Sequence, residues 1–536
     1  MDGRGSRSAP PDEGPKVKPL PDPTPEQLEI LVSVQLNPVT LVEAGPGCAK
    51  STTIRLSVAA NPVPNRTSTY IFAFNKDIVD DLKSSIPYGV TVQTLNSFGL
   101  SLWRKHIGRM PTLDTKKSRR LLKQLADASN RWSILPDEID PLLSLLRFAK
   151  SQGYTPPGAP KVPGAPGFAE LCALVDIRPE KHYETLLVAL LNMTIGEAFE
   201  GTIDFDDQIY VTALFAPAEA FPKISYLFVD EAQDLSPIQL RLVGRCKADH
   251  LCVVGDPLQA IYAFRGAMSD AFERIHAYWP DAKVLPLQTS YRLPQSVLPE
   301  LQGHNPRLTS AKAEAGLCHT NSEIRPLAAH VDWYKPFPTA RAAMLCRNNA
   351  PLYRAALACI ASSQPFNIRD NGWGYSLLKD LRKACGKRML VSEVPEIMAT
   401  YWYFEGMSQA QEDALIDKIS TLVACGEGLE TSGELADRLE GLLAKTNDSD
   451  AAHPLHLSTV HKAKGMEWEL VFHLDPHLIP SPLAKTPDEL QQEANIAYVL
   501  NSRTLHTLVF ISSQQILIPS HPGQRQRPSS RERQRL

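Results

Sequence analysis

The sequence predicts an α/β protein with parallel sheets, made of two such domains that each carry a mostly helical insertion. Short apolar, β-branched runs recur along the chain, and helix-like stretches separate most of them. That alternation calls for crossover connections and parallel pairing. One of the runs leads through a glycine-bearing turn directly into a helix-like segment. A second series of strand-like runs begins near Val284, which points to a second domain. At 536 residues the chain is too long for one hydrophobic core in any case.

Residues 1–23 read as a disordered leader, rich in Pro, Gly and charge, with no apolar stretch resembling a signal peptide. Order is expected from Thr24, which can cap a helix that has Pro25 at its first position. Val39 to Ala44 suits a buried strand, and Ser51 to Ala60 reads as a helix beyond the turn. Tyr70 to Phe74, Thr91 to Thr94, Ser225 to Val229 and Leu251 to Val254 are four more strands. A first domain is thus expected over 24–103 and 201–283. A helical insertion over 104–200 interrupts it, broken by a Pro/Gly-rich loop from Gly153 to Gly167. The second domain is expected over 284–375 and 453–515, with strands at Ala342 to Cys346 and Leu470 to Leu474. A short helical insertion spans 376–452, and 516–536 is a basic disordered tail.

The hydrophobic fraction of 43% and charged fraction of 21% are those of an ordinary soluble globular protein. No apolar run reaches the roughly 18 to 20 residues a membrane span needs. The reading is therefore soluble and intracellular: cytoplasmic, or nuclear in a eukaryote. The nine cysteines are scattered without a C-x-x-C pair, which argues against a zinc ribbon, an iron–sulfur cluster or a disulfide framework. A net charge of −3 neither advertises nor excludes nucleic acid, because binding needs only a local basic groove. The stretch from Gln524 to Leu536, with five Arg and one Glu, reads as a solvated tail, a phosphate-binding arm being the alternative.

Two segments carry chemistry by residue type alone. The loop Ala44, Gly45, Pro46, Gly47, Cys48, Ala49, Lys50, Ser51 and Thr52 joins a strand to a helix. Such a loop turns backbone N–H groups and a helix dipole toward an anion. Lys50 would reach the β- and γ-phosphates of ATP, and the Ser51 hydroxyl would ligate Mg²⁺. Both glycines of the strict G-x-x-x-x-G-K-[ST] pattern are alanine here, Ala44 and Ala49, so an ordinary strand–turn–helix is the competing reading. The second segment delivers Asp230 and Glu231 from the apolar run Leu227 to Val229. Asp230 can hold Mg²⁺, and Glu231 can orient and deprotonate a water. Adjacent acids also occur as a helix N-terminal charge pair, but the preceding strand places these two where α/β sheets bind ligands.

From Gln27 to Arg503 the chain resembles the UvrD/Rep/PcrA-type superfamily 1 DNA helicases, as a short member with two RecA-like P-loop domains. Thr24 to Gln27 is similar to the family's Q motif, so the resemblance gives Gln27 to the adenine edge. Phe72 to Lys76 and Thr94 to Phe98 look like motifs Ia and Ib, which gives Phe74, Asn75, Thr94 and Asn96 to single-stranded DNA. Ile203 to Asp207 resembles the D-F-x-D segment, and Asp230 to Asp234 the D-E-x-Q-D motif. Val254 to Ala267 resembles motif III, implying that Gln259 senses the γ-phosphate and that Phe264 and Arg265 meet DNA. Ser290 to Arg292 looks like motif IV, with Tyr291 stacking on adenine and Arg292 an arginine finger. Leu457 to Trp468 resembles motif V, giving Thr459 and His461 to DNA and Glu467 to the ribose. Glu493 to Arg503 resembles motif VI, with Arg503 a second arginine finger.

The resemblance implies an ATP- and Mg²⁺-dependent DNA helicase or translocase running 3′ to 5′, as in DNA repair or replication. Single-stranded and tailed duplex DNA would be its partners. The alternative is a single-strand translocase subunit that serves a nuclease or recombination partner and unwinds little alone. A nucleotide-binding module without turnover is what Ala49 by itself suggests; Glu231, Gln259, Arg292 and Arg503 oppose that. Asn96 stands where the family often has His, Asn495 where it often has Arg, and Thr504 where Ala is usual. These departures, and the short second insertion, bear on unwinding more than on ATP hydrolysis.

Overall fold

The computed structural model describes residues 20–61, 68–128, 139–175, 180–261, 271–319, 325–326, 341–369, 372–403, 407, 409–445 and 454–513. Most of the expected leader (1–19) and the whole expected tail (516–536) lie outside these. The chain divides into two compact units, one ending at Gln288 and the other beginning at Thr289.

The first unit opens with α1 (Pro25–Leu36), whose start combines Pro25 with a capping box between Thr24 and Gln27. There follow β1 (Val39–Ala44), α2 (Lys50–Ala60), β2 (Thr69–Ala73), α3 (Lys76–Ser85), β3 (Thr91–Thr94) and α4 (Leu95–Ile107). The helical interval contains α5 (Lys117–Ala128), α6 (Ile139–Gln152), α7 (Phe168–Val175), α8 (Lys181–Phe199) and α9 (Asp207–Phe215). The sheet resumes with β4 (Tyr226–Val229), α10 (Pro237–Arg245), β5 (His250–Gly255), α11 (Ala271–Tyr278) and β6 (Lys283–Leu287). All six strands are parallel, in the order β3-β2-β4-β5-β1-β6. The segment from Val284, read from sequence as the start of the second domain, is β6. Pairing of Thr40 with Lys283 through Ala44 with Leu287 places it at the edge of the first sheet.

This order decides where the chemistry falls. β4, β5 and β1 are neighbours, so three loops far apart in sequence leave the sheet side by side at its C-terminal edge. Apolar residues of the sheet and of the helical interval form one core that includes Phe72, Phe98, Trp103, Leu145, Leu190 and Leu227. α4 and α9 approach so closely that a Cβ on Gly99 would lie 2.1 Å from the Gln208 carbonyl oxygen.

In the second unit α12 (Pro299–Gln302) precedes β7 (Leu317–His319), β8 (Ala342–Cys346), α13 (Asn349–Ala361) and β9 (Phe366–Ile368). Four helices then intervene: α14 (Trp373–Ala384), α15 (Val394–Trp402), α16 (Gln409–Gly426) and α17 (Ser432–Lys445). β10 (Leu455–Thr459), α18 (Val460–Ala463), β11 (Trp468–Leu474), α19 (Pro487–Asn501) and β12 (Thr504–Ser512) complete the unit. Its sheet is again parallel, ordered β7-β12-β11-β8-β10-β9, with Arg325–Pro326 also paired to β12. Leu381, Leu439 and Leu443 of the four helices share a core with Phe472 and Val509 of the sheet. Among the described residues no helix is long and apolar enough to cross a membrane.

Candidate active site

The loop leaving β1 is anchored where the Gly45 N–H donates to the Leu287 carbonyl at 2.9 Å. Gly47 takes φ 70°, and Ala49, at the N-cap of α2, takes φ 60° and ψ 38°. Lys50, Ser51 and Thr52 form the first turn of α2, whose free N–H groups and dipole make that end attractive to an anion. Cys48 is buried in the loop, and burial pushes its thiol up to about 12, which makes it a small packing residue and not a nucleophile.

The loop leaving β4 brings its acids to the same place. The Ser51 hydroxyl donates to Asp230 Oδ2 at 3.3 Å, and Lys50 Nζ lies 3.6 Å from Glu231 Oε1. Glu231 stands in the left-handed region at φ 51°, an uncommon conformation for a non-glycine residue that concentrates at functional sites. Burial, and then the neighbouring Glu231 charge, raise the Asp230 carboxyl to about 6, with Lys50 opposing.

The loop leaving β5 is tied in by Gln233. Its Nε2 donates to Glu231 Oε2 at 2.6 Å, while its Oε1 accepts from the Asp256 N–H at 3.0 Å. Asp256 in turn accepts from Gln259 Nε2 at 2.7 Å and from the Leu258 N–H at 3.1 Å. Burial lifts Asp256 to about 6 against the pull of Lys50. A Cβ on Gly255 would sit 2.6 Å from Gln233 Oε1, so glycine there keeps the bridge open. Lys50, Ser51, Asp230, Glu231 and Gln259 are therefore joined through Gln233 and Asp256, two links to which the sequence reading gave no role.

Gln27 is buried beneath α2. Its Oε1 accepts from the Thr24 N–H at 3.0 Å and its Nε2 donates to Thr53 Oγ1 at 3.1 Å. A carboxamide keeps a second N–H and a second lone pair, so these bonds leave capacity for a base edge. Ser51 and Asp230 supply the hard oxygen donors that Mg²⁺ prefers. Among the described residues no three His, Cys, Asp or Glu side chains gather into a metal cage. Two protein oxygens beside a phosphate loop suit an ion that takes its remaining ligands from substrate and water.

A second feature of this unit is a pocket of about 210 Å³ lined by Phe74, Asn96, Lys150, Phe205 and Asp234. Phe74 is 45% exposed and Phe205 55%, whereas Phe72 and Phe98 of the neighbouring strand and helix are 1% exposed. Asn75 caps α3, its Oδ1 accepting from the Ile78 N–H, and Thr94 caps α4 by accepting from the Ser97 N–H. Asn96 Nδ2 donates to the Phe205 carbonyl at 3.0 Å and to Gln208 Oε1 at 3.1 Å. Phe205 was not singled out from sequence; the signal was an aromatic between two acids in the D-F-x-D segment. Phe264 and Arg265 lie outside the described residues.

In the second unit Arg292 is ion-paired with Glu467, and Tyr291 beside it is 46% exposed. Thr459 ends β10 at the N-cap of α18, and His461 lies on that helix. Arg503 is only 1% exposed. Its Nε donates to the Val499 carbonyl at 2.9 Å and its Nη2 to Ser502 Oγ at 2.7 Å. Its guanidinium is thus held inside the unit at the end of α19, unlike that of Arg292.

Residues 24–278 match the UvrD/REP helicase N-terminal domain, and residues 322–515 match the UvrD-like helicase C-terminal domain. The chain is 25% identical to F-box DNA helicase protein 1 of Schizosaccharomyces pombe, over 91% of this chain and 57% of the relative. It is 29% identical to ATP-dependent DNA helicase UvrD2 of Mycobacterium tuberculosis, over 50% of this chain and 45% of that protein. A shorter stretch, 18% of this chain and 14% of the relative, is 39% identical to UvrD1 of the same organism. The chain therefore spans about half the length of its more broadly matched relatives. With two parallel-sheet units and both domain models matched in order, the chain belongs to the UvrD-type family of superfamily 1 helicases.

Proposed function

We propose that the protein is an ATP-dependent DNA helicase or translocase that moves 3′ to 5′ on single-stranded DNA. The observation that carries the coupling of ATP to DNA is the segment from Asp230 to Ser236. Its first residues hold the acids beside Lys50 and Ser51, while Asp234 and Ser236 line the pocket with Phe74, Asn96 and Phe205. A change at the acids is thereby one short turn away from the exposed aromatics.

In this reading Lys50 and the N–H groups of residues 45–52 hold the phosphates, and Ser51 and Asp230 hold Mg²⁺, which when bound neutralises phosphate charge. Glu231 accepts the proton of the attacking water, and Gln259 reports on the γ-phosphate through Asp256 and Gln233. Gln27 meets the adenine edge, Tyr291 stacks on the base and Glu467 meets the ribose. Arg292, released from Glu467, stabilises the transferring charge; Arg503 would first have to leave the α19 carbonyl it now caps. Phe74, Asn75, Thr94, Asn96 and Phe205, with Phe264, Arg265, Thr459 and His461, contact the strand. Aromatic stacking contributes roughly 1–3 kcal/mol per base and tolerates any sequence. The domain assignment follows the family: 24–103 with 201–287 as the first RecA-like domain, closed at its edge by β6, 289–375 with 453–515 as the second, and 104–200 and 376–452 as insertions.

ATP turnover with and without single-stranded DNA, in wild type, Lys50→Ala and Glu231→Gln, tests the reading. DNA should stimulate wild-type turnover, and both variants should lose it by about 10²-fold or more. Turnover that persists in Glu231→Gln would remove Glu231 as the base. Unwinding should start from a 3′ single-stranded tail; unwinding from a 5′ tail alone would overturn the polarity.

A second reading is a single-strand translocase that unwinds only with a nuclease or recombination partner. The short helical insertion supports it, because α14 to α17 share the core of their own unit and leave little for a separate lobe. Robust unwinding by the pure chain would discard it.

A further inference from the structure

The helical interval of the first unit contains a buried ionic cluster that the nucleotide site does not use. Lys150 Nζ on α6 lies 2.8 Å from Asp204 Oδ2 and 2.8 Å from Asp207 Oδ1. Lys117 Nζ on α5 donates to Asp207 Oδ2 at 2.7 Å and to the carbonyls of Thr194 and Thr202, each at 2.8 Å. Ser118 Oγ donates to Asp204 Oδ2 at 2.8 Å. The acids also hold each other's backbone: the Asp204 N–H donates to Asp207 Oδ2 at 3.1 Å, and the Asp207 N–H to Asp204 Oδ1 at 2.8 Å. Both lysines and Asp207 are almost wholly buried.

Burying two ammonium and two carboxylate groups is costly, and apolar side chains of similar volume would commonly stabilise a core as well. What the cluster supplies that an apolar core would not is a fixed position for the short segment between its two acids. The middle of that segment is Phe205, whose ring is exposed in the pocket and whose carbonyl is held by Asn96.

We propose that Lys117 and Lys150 are positioning residues for strand binding: by clamping Asp204 and Asp207 they hold the Phe205 ring out in the pocket it shares with Phe74 and Asn96. The clamp joins α5, α6 and, through Thr194, α8 to the strand-facing surface, so the helical insertion sets the geometry of base stacking. This rests on the pocket being a strand site.

The test is a double-mutant cycle on the full chain, reading the affinity for a fluorescein-labelled oligothymidylate at fixed salt without nucleotide. Phe205→Ala should weaken binding about 5- to 100-fold, the range expected for one stacked base. Lys150→Met should weaken it by a similar factor in the wild-type background and less than about 2-fold further in Phe205→Ala. Equal losses in both backgrounds would show that Lys150 does not act through Phe205 and would overturn the clamp. Lys150→Met leaves buried acids short of a partner, so Lys150→Arg and Ser118→Ala, which keep the charge balance, run in parallel with thermal unfolding. If they keep the wild-type melting point, they should lose affinity only where Phe205 is present; unchanged affinity in both would also overturn the clamp. If Phe205→Ala and Phe74→Ala both bind as wild type, the pocket is not a strand site, and the clamp falls with that reading.

Discussion

Ala44 and Ala49 occupy the two positions where a strict phosphate loop has glycine, yet their surroundings differ. Ala44 ends β1 in ordinary extended conformation and is buried against β6, so glycine there would lose packing and gain unfolded-state freedom. Ala49 sits at φ 60°, where a Cβ costs an L-residue roughly 1–2 kcal/mol. Glycine at 49 releases that strain and gives back about 0.4–1 kcal/mol through a more flexible unfolded chain. Thermal or urea unfolding of the two variants should therefore diverge. Ala44→Gly should lose about 1 kcal/mol, and Ala49→Gly should be neutral or up to about 1 kcal/mol more stable. An equal loss in both would mean that the loop does not carry strain at Ala49. The same αL geometry at Glu231 marks the facing loop, so both walls of the site hold a strained residue.

Among the elements, α13 shows how the second insertion is fastened. Its N-terminus has no cap from its own chain neighbour; Asp417 on α16 accepts from the Asn349 N–H at 2.9 Å and the Ala350 N–H at 3.0 Å. Nearby, Arg347 after β8 pairs with Asp413 of α16 and Glu493 of α19. Asp417→Ala strands buried helix donors and should destabilise the second unit by about 2–3 kcal/mol, whereas Asp417→Asn, which keeps one acceptor, should cost about half that. Urea unfolding checks both, and a change under about 0.5 kcal/mol in Asp417→Ala would show that the cap is dispensable. No sequence pattern announces this cap, because donor and acceptor are 68 residues apart. The strands were legible for the opposite reason: β1, β2, β4 and β8 are short apolar runs whose burial is written locally. β6 was harder to assign, since Lys283 to Leu287 reads as a strand but only its pairing with β1 says to which sheet it belongs. At the site, the acids and the lysine were legible from motif order, while the Gln233 bridge and the Lys117 and Lys150 clamp depend on contacts that only the fold creates.

At the scale of the whole molecule, the two units carry buried groups whose titrations oppose each other. In the first, burial raises Asp256 to about 6 from an ordinary 3.8, so the folded state holds its proton more tightly than the unfolded chain. That contribution is fully present below pH 4 and is lost as pH rises through 6. In the second, burial lowers His473 to about 4 from an ordinary 6.5. Its Nδ1 is bonded to Asn501 Oδ1 at 2.9 Å, while its Nε2 is buried with no hydrogen-bond partner among the described residues. Protonation there would place a charge in an apolar core, so this contribution is present above pH 6.5 and lost as pH falls toward 4. Moving from pH 7 to pH 5 should therefore stabilise β5 and its neighbours and destabilise β11 and its neighbours, each by on the order of 1–2 kcal/mol. Hydrogen exchange of peptides covering the two strands, corrected for the intrinsic pH dependence of exchange, separates the effects in one sample. Asp256→Asn should weaken the first trend alone, leaving the part that Asp230, also raised to about 6, contributes beside it, and His473→Gln should flatten the second alone. Parallel trends in both units, or trends that these substitutions leave unchanged, would show that other groups govern the pH response.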